Sequence, residues 1–69
     1  MTGRMDKVPE GSWGVIIRAK KTPRLQAMGL VPGAEVCCKY KSRGTMVLEM
    51  GNRLIALRRN SLRGIWLDY

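Results

Sequence analysis

The sequence predicts a mostly β protein, one small, partly open barrel of about five short strands with a single short helix. Three observations carry that expectation. The chain has 69 residues, which allows one domain with a small core and leaves no room for two full packed sheets. Short runs rich in β-branched, aromatic and long apolar residues recur between Gly, Pro, Asn and Ser turn signals. The stretch Leu25 to Val36, LQAMGLVPGAEV, then carries in succession the marks of a helix, its stop, a tight turn and a strand.

In chain order, residues 1–7 show no periodicity and are expected to be a flexible lead, with the folded domain spanning 8–69. Val8-Pro9-Glu10-Gly11 signals a bend. Trp13 to Arg18 (WGVIIR) reads as the first strand, and Gly14 within it marks a bulge or a close backbone approach. Thr22 is placed to cap a helix and Pro23 to begin it, so the helix is expected over Pro23 to Met28, held by Leu25 and Met28 packing on the sheet. Gly29 can take the positive φ that ends it. Pro32-Gly33 has the chemistry of a type II turn, with φ pre-set by Pro and positive φ accepted by Gly. Gly29, Pro32 and Gly33 are therefore expected to shape the barrel.

Ala34 to Tyr40 reads as the second strand, with Cys37 and Cys38 pointing to opposite faces, one into the core and one partly exposed. Lys41 to Gly44 is a connection of hairpin length. Thr45 to Met50 alternates, with Met46, Leu48 and Met50 as the core face, and Gly51-Asn52 turns the chain into Arg53 to Arg58. There Ile55 and Leu57 are favoured inward by bulk over Leu54 and Ala56. Asn60 or Ser61 can cap a single turn with Leu62 inward, Gly64 stops it, and Ile65 to Tyr69 is the last strand. Five short strands and one helix fit an SH3-like barrel, which reduces exposed edges by curling on itself. The OB-fold, with longer strands, is the rival.

Thirteen Lys and Arg against five Asp and Glu give a net charge of +8, which draws the protein toward an acidic partner, a nucleic acid or an anionic surface, or simply keeps it soluble. With no His and only the adjacent Cys37 and Cys38, one subunit does not offer an ordinary zinc or iron ligand set, and the thiols read as those of a reduced, cytoplasmic protein. A redox role, or a metal shared between subunits through Cys37 or Cys38, is left open. No apolar run approaches the ~20 residues of a membrane span, and the N-terminus lacks a signal peptide's apolar region. An enzyme is the least expected class. The thiols lack a base, the carboxylates are scattered, and there is no phosphate loop of the Walker type.

Three blocks resemble the FeoA family, the small cytosolic partner of the bacterial ferrous iron transporter FeoB. They are Pro9, Gly11 and Gly14; then Met28, Gly29, Leu30, Pro32, Gly33, Glu35 and Val36; and then Gly51, Ile55, Ala56, Leu57, Arg58, Ile65 and Leu67. The loop Lys41 to Gly44 is shorter than the family's usual connection, and the segment before Pro9 lacks its usual leucines. The resemblance implies an SH3-like barrel, no cofactor, and a cytoplasmic accessory role in iron uptake through contact with the GTP-binding part of FeoB. The same barrel forms the C-terminal module of metal-dependent repressors of the DtxR type, which keeps a regulatory role in view.

For such a partner, Arg58 and Arg59, with Arg53 and Arg63 nearby, read either as a solvated hairpin face or as a docking edge of arginines that pair with carboxylates. Trp13 and Trp66 each read as core, or as interface aromatics, Trp66 being the candidate contact. Met46 and Met50 read as core filler sooner than as a soft metal site. The rival function is single-stranded nucleic-acid binding on a platform of Tyr40, Trp66 and Tyr69 with Lys39, Lys41 and Arg43.

Overall fold

The computed structural model describes residues 1–69. Its strands are β1 (Thr2–Arg4), β2 (Trp13–Ala19), β3 (Glu35–Lys41), β4 (Thr45–Met50), β5 (Arg53–Arg58) and β6 (Ile65–Asp68), with helix α1 (Pro23–Ala27) and single 3₁₀ turns at Met5–Lys7 and Arg59–Leu62. The strands form one antiparallel sheet in the order β1-β6-β2-β3-β4-β5. β1 and β5 do not pair, so the sheet is unclosed, yet it curls until the molecule measures 24 × 23 × 23 Å. The expected mostly β, partly open architecture is what the chain adopts, with six strands where five were expected.

Local chemistry explains the helix-to-strand passage. At the end of α1, Leu30 N–H donates to Leu25 O and Gly29 N–H to Gln26 O, both at 3.0 Å. These are the two bonds of a Schellman stop, and Gly29 provides its left-handed residue at φ 85°. Leu25 and Leu30, the apolar pair that accompanies this motif, are both buried. Ala34 N–H then bonds Val31 O at 3.1 Å across Pro32-Gly33, with Gly33 at φ 93°. Gly33 N–H and Ile16 O (2.7 Å), with Ile16 N–H and Ala34 O (2.9 Å), tie the turn to β2. Thr22 occupies the N-cap position, but its hydroxyl makes no capping bond.

Fourteen buried residues form one cluster, drawn from every element except β1. Met46, Leu48 and Met50 supply the β4 face, Leu57 is buried with Ile55 packed beside it, and Leu62, Ile65 and Leu67 close the far side. Gly14 lies under β6. A Cβ there would come within 2.5 Å of Asp68 O and 2.8 Å of Leu67 Cγ. The bulge in β2 falls between Ile16 and Arg18 instead, which turns Ile17 outward.

Three expectations need correction. Residues 1–7 are not a flexible lead, because Thr2–Arg4 pairs with β6 in the register Thr2↔Asp68, Gly3↔Leu67, Arg4↔Trp66, and Met5 and Asp6 are buried. The edge of β6 supplies hydrogen-bond partners that no local pattern in seven residues reveals. Neither tryptophan is core: Trp13 is 55% and Trp66 36% exposed. Alternation puts Ile16, Ile65 and Leu67 inward and so puts both indoles outside. Nor is either cysteine partly exposed. Cys38 points into the core, while Cys37, on the outer face, is 4% exposed between its register neighbours Trp13 and Glu49.

Gly14→Ala is therefore expected to destabilise the chain by about 1–3 kcal/mol through overpacking against β6, and Gly29→Val by about 1 kcal/mol or more through its φ. At Gly44, nothing would lie within 4 Å of a Cβ, so Gly44→Ala should stay within about 0.5 kcal/mol of the parent. Urea midpoints of the three variants measure the difference.

Candidate functional site

The arginines expected to form a docking edge have separate tasks. Arg59 is half-buried, and its guanidinium donates to Asp6 O (2.7 Å) and Ser42 O (3.1 Å), bridging the turn after β1 to the β3–β4 loop. Arg53 donates to Met28 O at 3.0 Å, next to the end of α1. Arg58 is exposed at the end of β5 with no hydrogen bond or ion pair. Arg63 follows the turn Arg59–Leu62 and lines a cleft described below. Arg53 and Arg58 stand at opposite ends of one strand, about 17 Å apart at strand rise. Trp66 is on β6, which three strands of the sheet separate from β5.

Around Trp66 there is instead an apolar outer face. Val15 (39% exposed) and Ile17 (49%) lie on β2 beside it, with Trp13 further along the same strand. Ile17, Trp66, Thr2 and Arg18 ring a hollow of about 280 Å³. Scattered exposed apolar residues are ordinary, but adjacent ones on neighbouring strands form the kind of patch that partners cover. The parity of β2 and β6 carries the signal for this face, because fixing Ile16 and Leu67 inward fixes Val15 and Trp66 outward.

Beyond β1 the neighbouring surface is basic. A cleft of about 470 Å³ is lined by Arg4, Lys20, Thr22, Arg24, Leu25, Asn60, Ser61, Arg63 and Gly64. A second hollow shares Arg4, Asn60 and Arg63 and adds Asp6, Lys7, Arg43 and Arg59. Asp6 is the one carboxylate among them, and its side chain is held by Arg4 at 2.6 and 3.2 Å. Of the cations in this region, the sequence singles out Arg59 and Arg63 for a docking edge and Arg43 for a nucleic-acid platform. Lys20, Arg24 and Arg4 come from distant parts of the chain, and no spacing rule joins them.

The nucleic-acid platform does not assemble. Tyr40 lies on β3 and Trp66 on β6, with β2 between them, and Tyr69 is packed against the core. Of the cations, Lys39 pairs with Glu49 at 3.5 Å and Lys41 Nζ donates to Val8 O at 3.0 Å.

The family model described as the FeoA domain matches residues 4–68. The chain belongs to the FeoA family. Among solved structures, an iron uptake regulatory protein, FeoA, superposes with a TM-score of 0.88 at 18% identity, covering 97% of this chain and 96% of that one. A manganese-dependent transcriptional repressor gives 0.84 at 12% identity, and the IdeR of T. acidophilum 0.82 at 20%. Each is covered over 96% of this chain but only 40% and 33% of its own, so the FeoA fold corresponds to one part of those larger proteins. No curated protein sequence matches. No helix of this FeoA-family chain is long and apolar enough to cross a membrane.

Both thiols of the FeoA-family barrel are free and buried. Gly11 N–H bonds Cys38 O at 2.7 Å and Cys38 N–H bonds Ser12 O at 3.0 Å, laying the loop over β3. Burial raises the Cys38 thiol above its ordinary range; Glu10 and Cys37 push it the same way, while Lys41 and Arg59 pull it back. The folded chain thus keeps a proton that the unfolded chain releases, so this contribution to stability is complete below the ordinary thiol value of about 8.5 and is lost as pH rises through the folded value. Urea midpoints should fall more steeply above about pH 8.5 for the parent than for Cys38→Ala.

Arg59→Ala strands two carbonyls and should cost about 1–3 kcal/mol, whereas Arg58→Ala should change stability by less than about 0.5 kcal/mol. Equal urea midpoints for the two variants would remove the bridging role of Arg59.

Proposed function

We propose that this chain is a non-enzymatic cytoplasmic accessory of ferrous iron uptake that works by docking on the GTP-binding part of a FeoB-type transporter. Family membership supports the iron-uptake role. The observation that carries the docking is the apolar outer face of Val15, Ile17 and Trp66. A chain with 14 residues in its core has little reason to leave an indole and two branched aliphatics side by side in water unless something covers them.

In this reading the contact is centred on Trp66, with Ile17 and Val15 on the neighbouring strand around it. Arg53 and Arg59 are left out of the contact because their guanidinium groups are engaged within the chain. The collapse of the aromatic platform removes the support for single-strand binding and favours a protein partner.

Tagged FeoB solubilised from the same cell should retain the parent chain. Trp66→Ala combined with Ile17→Ser should weaken retention by about 30-fold or more, as expected when a central aromatic anchor is lost, with the urea midpoint nearly unchanged. Undiminished retention by that variant would place the docking surface elsewhere on the barrel.

A further inference from the structure

The basic cleft is a second site, distinct from the apolar face. It lies where the start of α1, the turn Arg59–Leu62 and the end of β1 meet, and no carboxylate lines it. The nearest acid, Asp6, is already bound by Arg4 through both oxygens. Lys20, Arg24 and Arg63 make no ion pair and no side-chain hydrogen bond within the chain. Three uncompensated cations around one concavity are mutually repulsive, and each gains when an anion enters.

Neutral donors in the same wall are equally unspent. Thr22 stands at an N-cap position without using its hydroxyl there, and neither Ser61 nor Asn60 spends its side chain on another group. Backbone geometry sets the wall. Lys20 N–H bonds Gly64 O at 2.9 Å, and a Cβ on Gly64 would sit 2.8 Å from Lys20 Cβ. Only glycine beside Arg63 lets the segment carrying Lys20 lie so close, and the two cations are brought to one rim by that contact.

The lining also limits what can bind. Leu25 is its single apolar member, and there is no aromatic ring. Nothing is available to stack on a base or to cover a hydrocarbon chain, whereas guanidinium, ammonium and hydroxyl donors match the oxygens of a compact, multiply charged anion. We propose that the cleft binds the phosphoryl oxygens of a di- or triphosphate, free or carried by a nucleotide, read through Lys20, Arg24 and Arg63 with Thr22 and Ser61 as neutral donors.

The test is a titration of the full chain with pyrophosphate, and separately with ADP, at about 0.15 M salt, where charges more than about 8 Å apart are largely screened. Amide shifts followed by NMR should saturate and centre on Lys20 to Arg24 and Asn60 to Gly64. The two ligands should bind with similar affinity, since nothing in the lining holds adenine. Arg24→Glu with Arg63→Glu should abolish saturation, Arg24→Lys should retain it, and Arg58→Glu, an exposed cation outside the cleft, should leave it within about twofold. Shifts spread evenly over Arg18, Lys39 and Arg58, binding of ADP without pyrophosphate, or an unchanged titration in the double variant whose fold is intact would overturn the proposal.

Discussion

Arg59 donates to two carbonyls that no strand ladder satisfies, Asp6 O and Ser42 O, and in doing so it spans the opening of the barrel. β1 and β5 are the unpaired edges, and the two 3₁₀ turns that follow them, Met5–Lys7 and Arg59–Leu62, pack together across the gap. Met5 and Leu62 lie fully buried within those turns. If the gap widened, both would meet water at a cost of about 1.5–3 kcal/mol each, a large share of the margin available to a domain of this size. Arg4 completes the arrangement by holding the Asp6 carboxylate while Arg59 holds its carbonyl. One short acidic residue thus anchors two arginines, and the sheet behaves as a barrel without a closing pair of strands.

That closure also decides which cations are free. Arg4, Arg53 and Arg59 have fixed internal partners, whereas Lys20, Arg24, Arg58 and Arg63 do not. The distinction separates structural charge from available charge in a way the net value of +8 conceals. The free cations on the α1 side surround a concavity, and the apolar outer face lies across β6 from it. The two surfaces meet at β1, where Arg4 lines the cleft and is also the register partner of Trp66. A ligand in the cleft and a partner on the apolar face would therefore be neighbours while contacting different side chains.

What was legible in the sequence is what local chemistry dictates. The hairpin strands Thr45–Met50 and Arg53–Arg58 carry the expected bounds because alternation and the Gly51-Asn52 turn determine them without tertiary help. The first strand and the helix shift by one residue at one end, within the ordinary fraying of such limits. β1 escaped because a three-residue strand has no period of its own and exists only through the edge of β6. The tryptophans were left between core and interface because an indole suits either place, although parity along β2 and β6 puts both outside. Arg59 differs again, since its acceptors are main-chain carbonyls remote in sequence, and no residue type announces them.

The cysteines bring these strands together. A metal shared between subunits through Cys37 or Cys38 would need a thiolate that can reach the surface. Cys38 is turned into the core with a thiol that burial makes harder to ionise, and the loop Val8–Ser12 is hydrogen-bonded across its backbone. Cys37 faces outward but is almost covered, with Trp13 as its register neighbour on one side and Glu49, paired with Lys39, on the other. Exposing either thiol would mean disturbing β3, the strand that links the β1-β6-β2 half of the sheet to the β4-β5 half. The two thiols are thus better explained as small apolar packing units, and the chemistry available to this fold lies in its uncompensated cations and its apolar outer face.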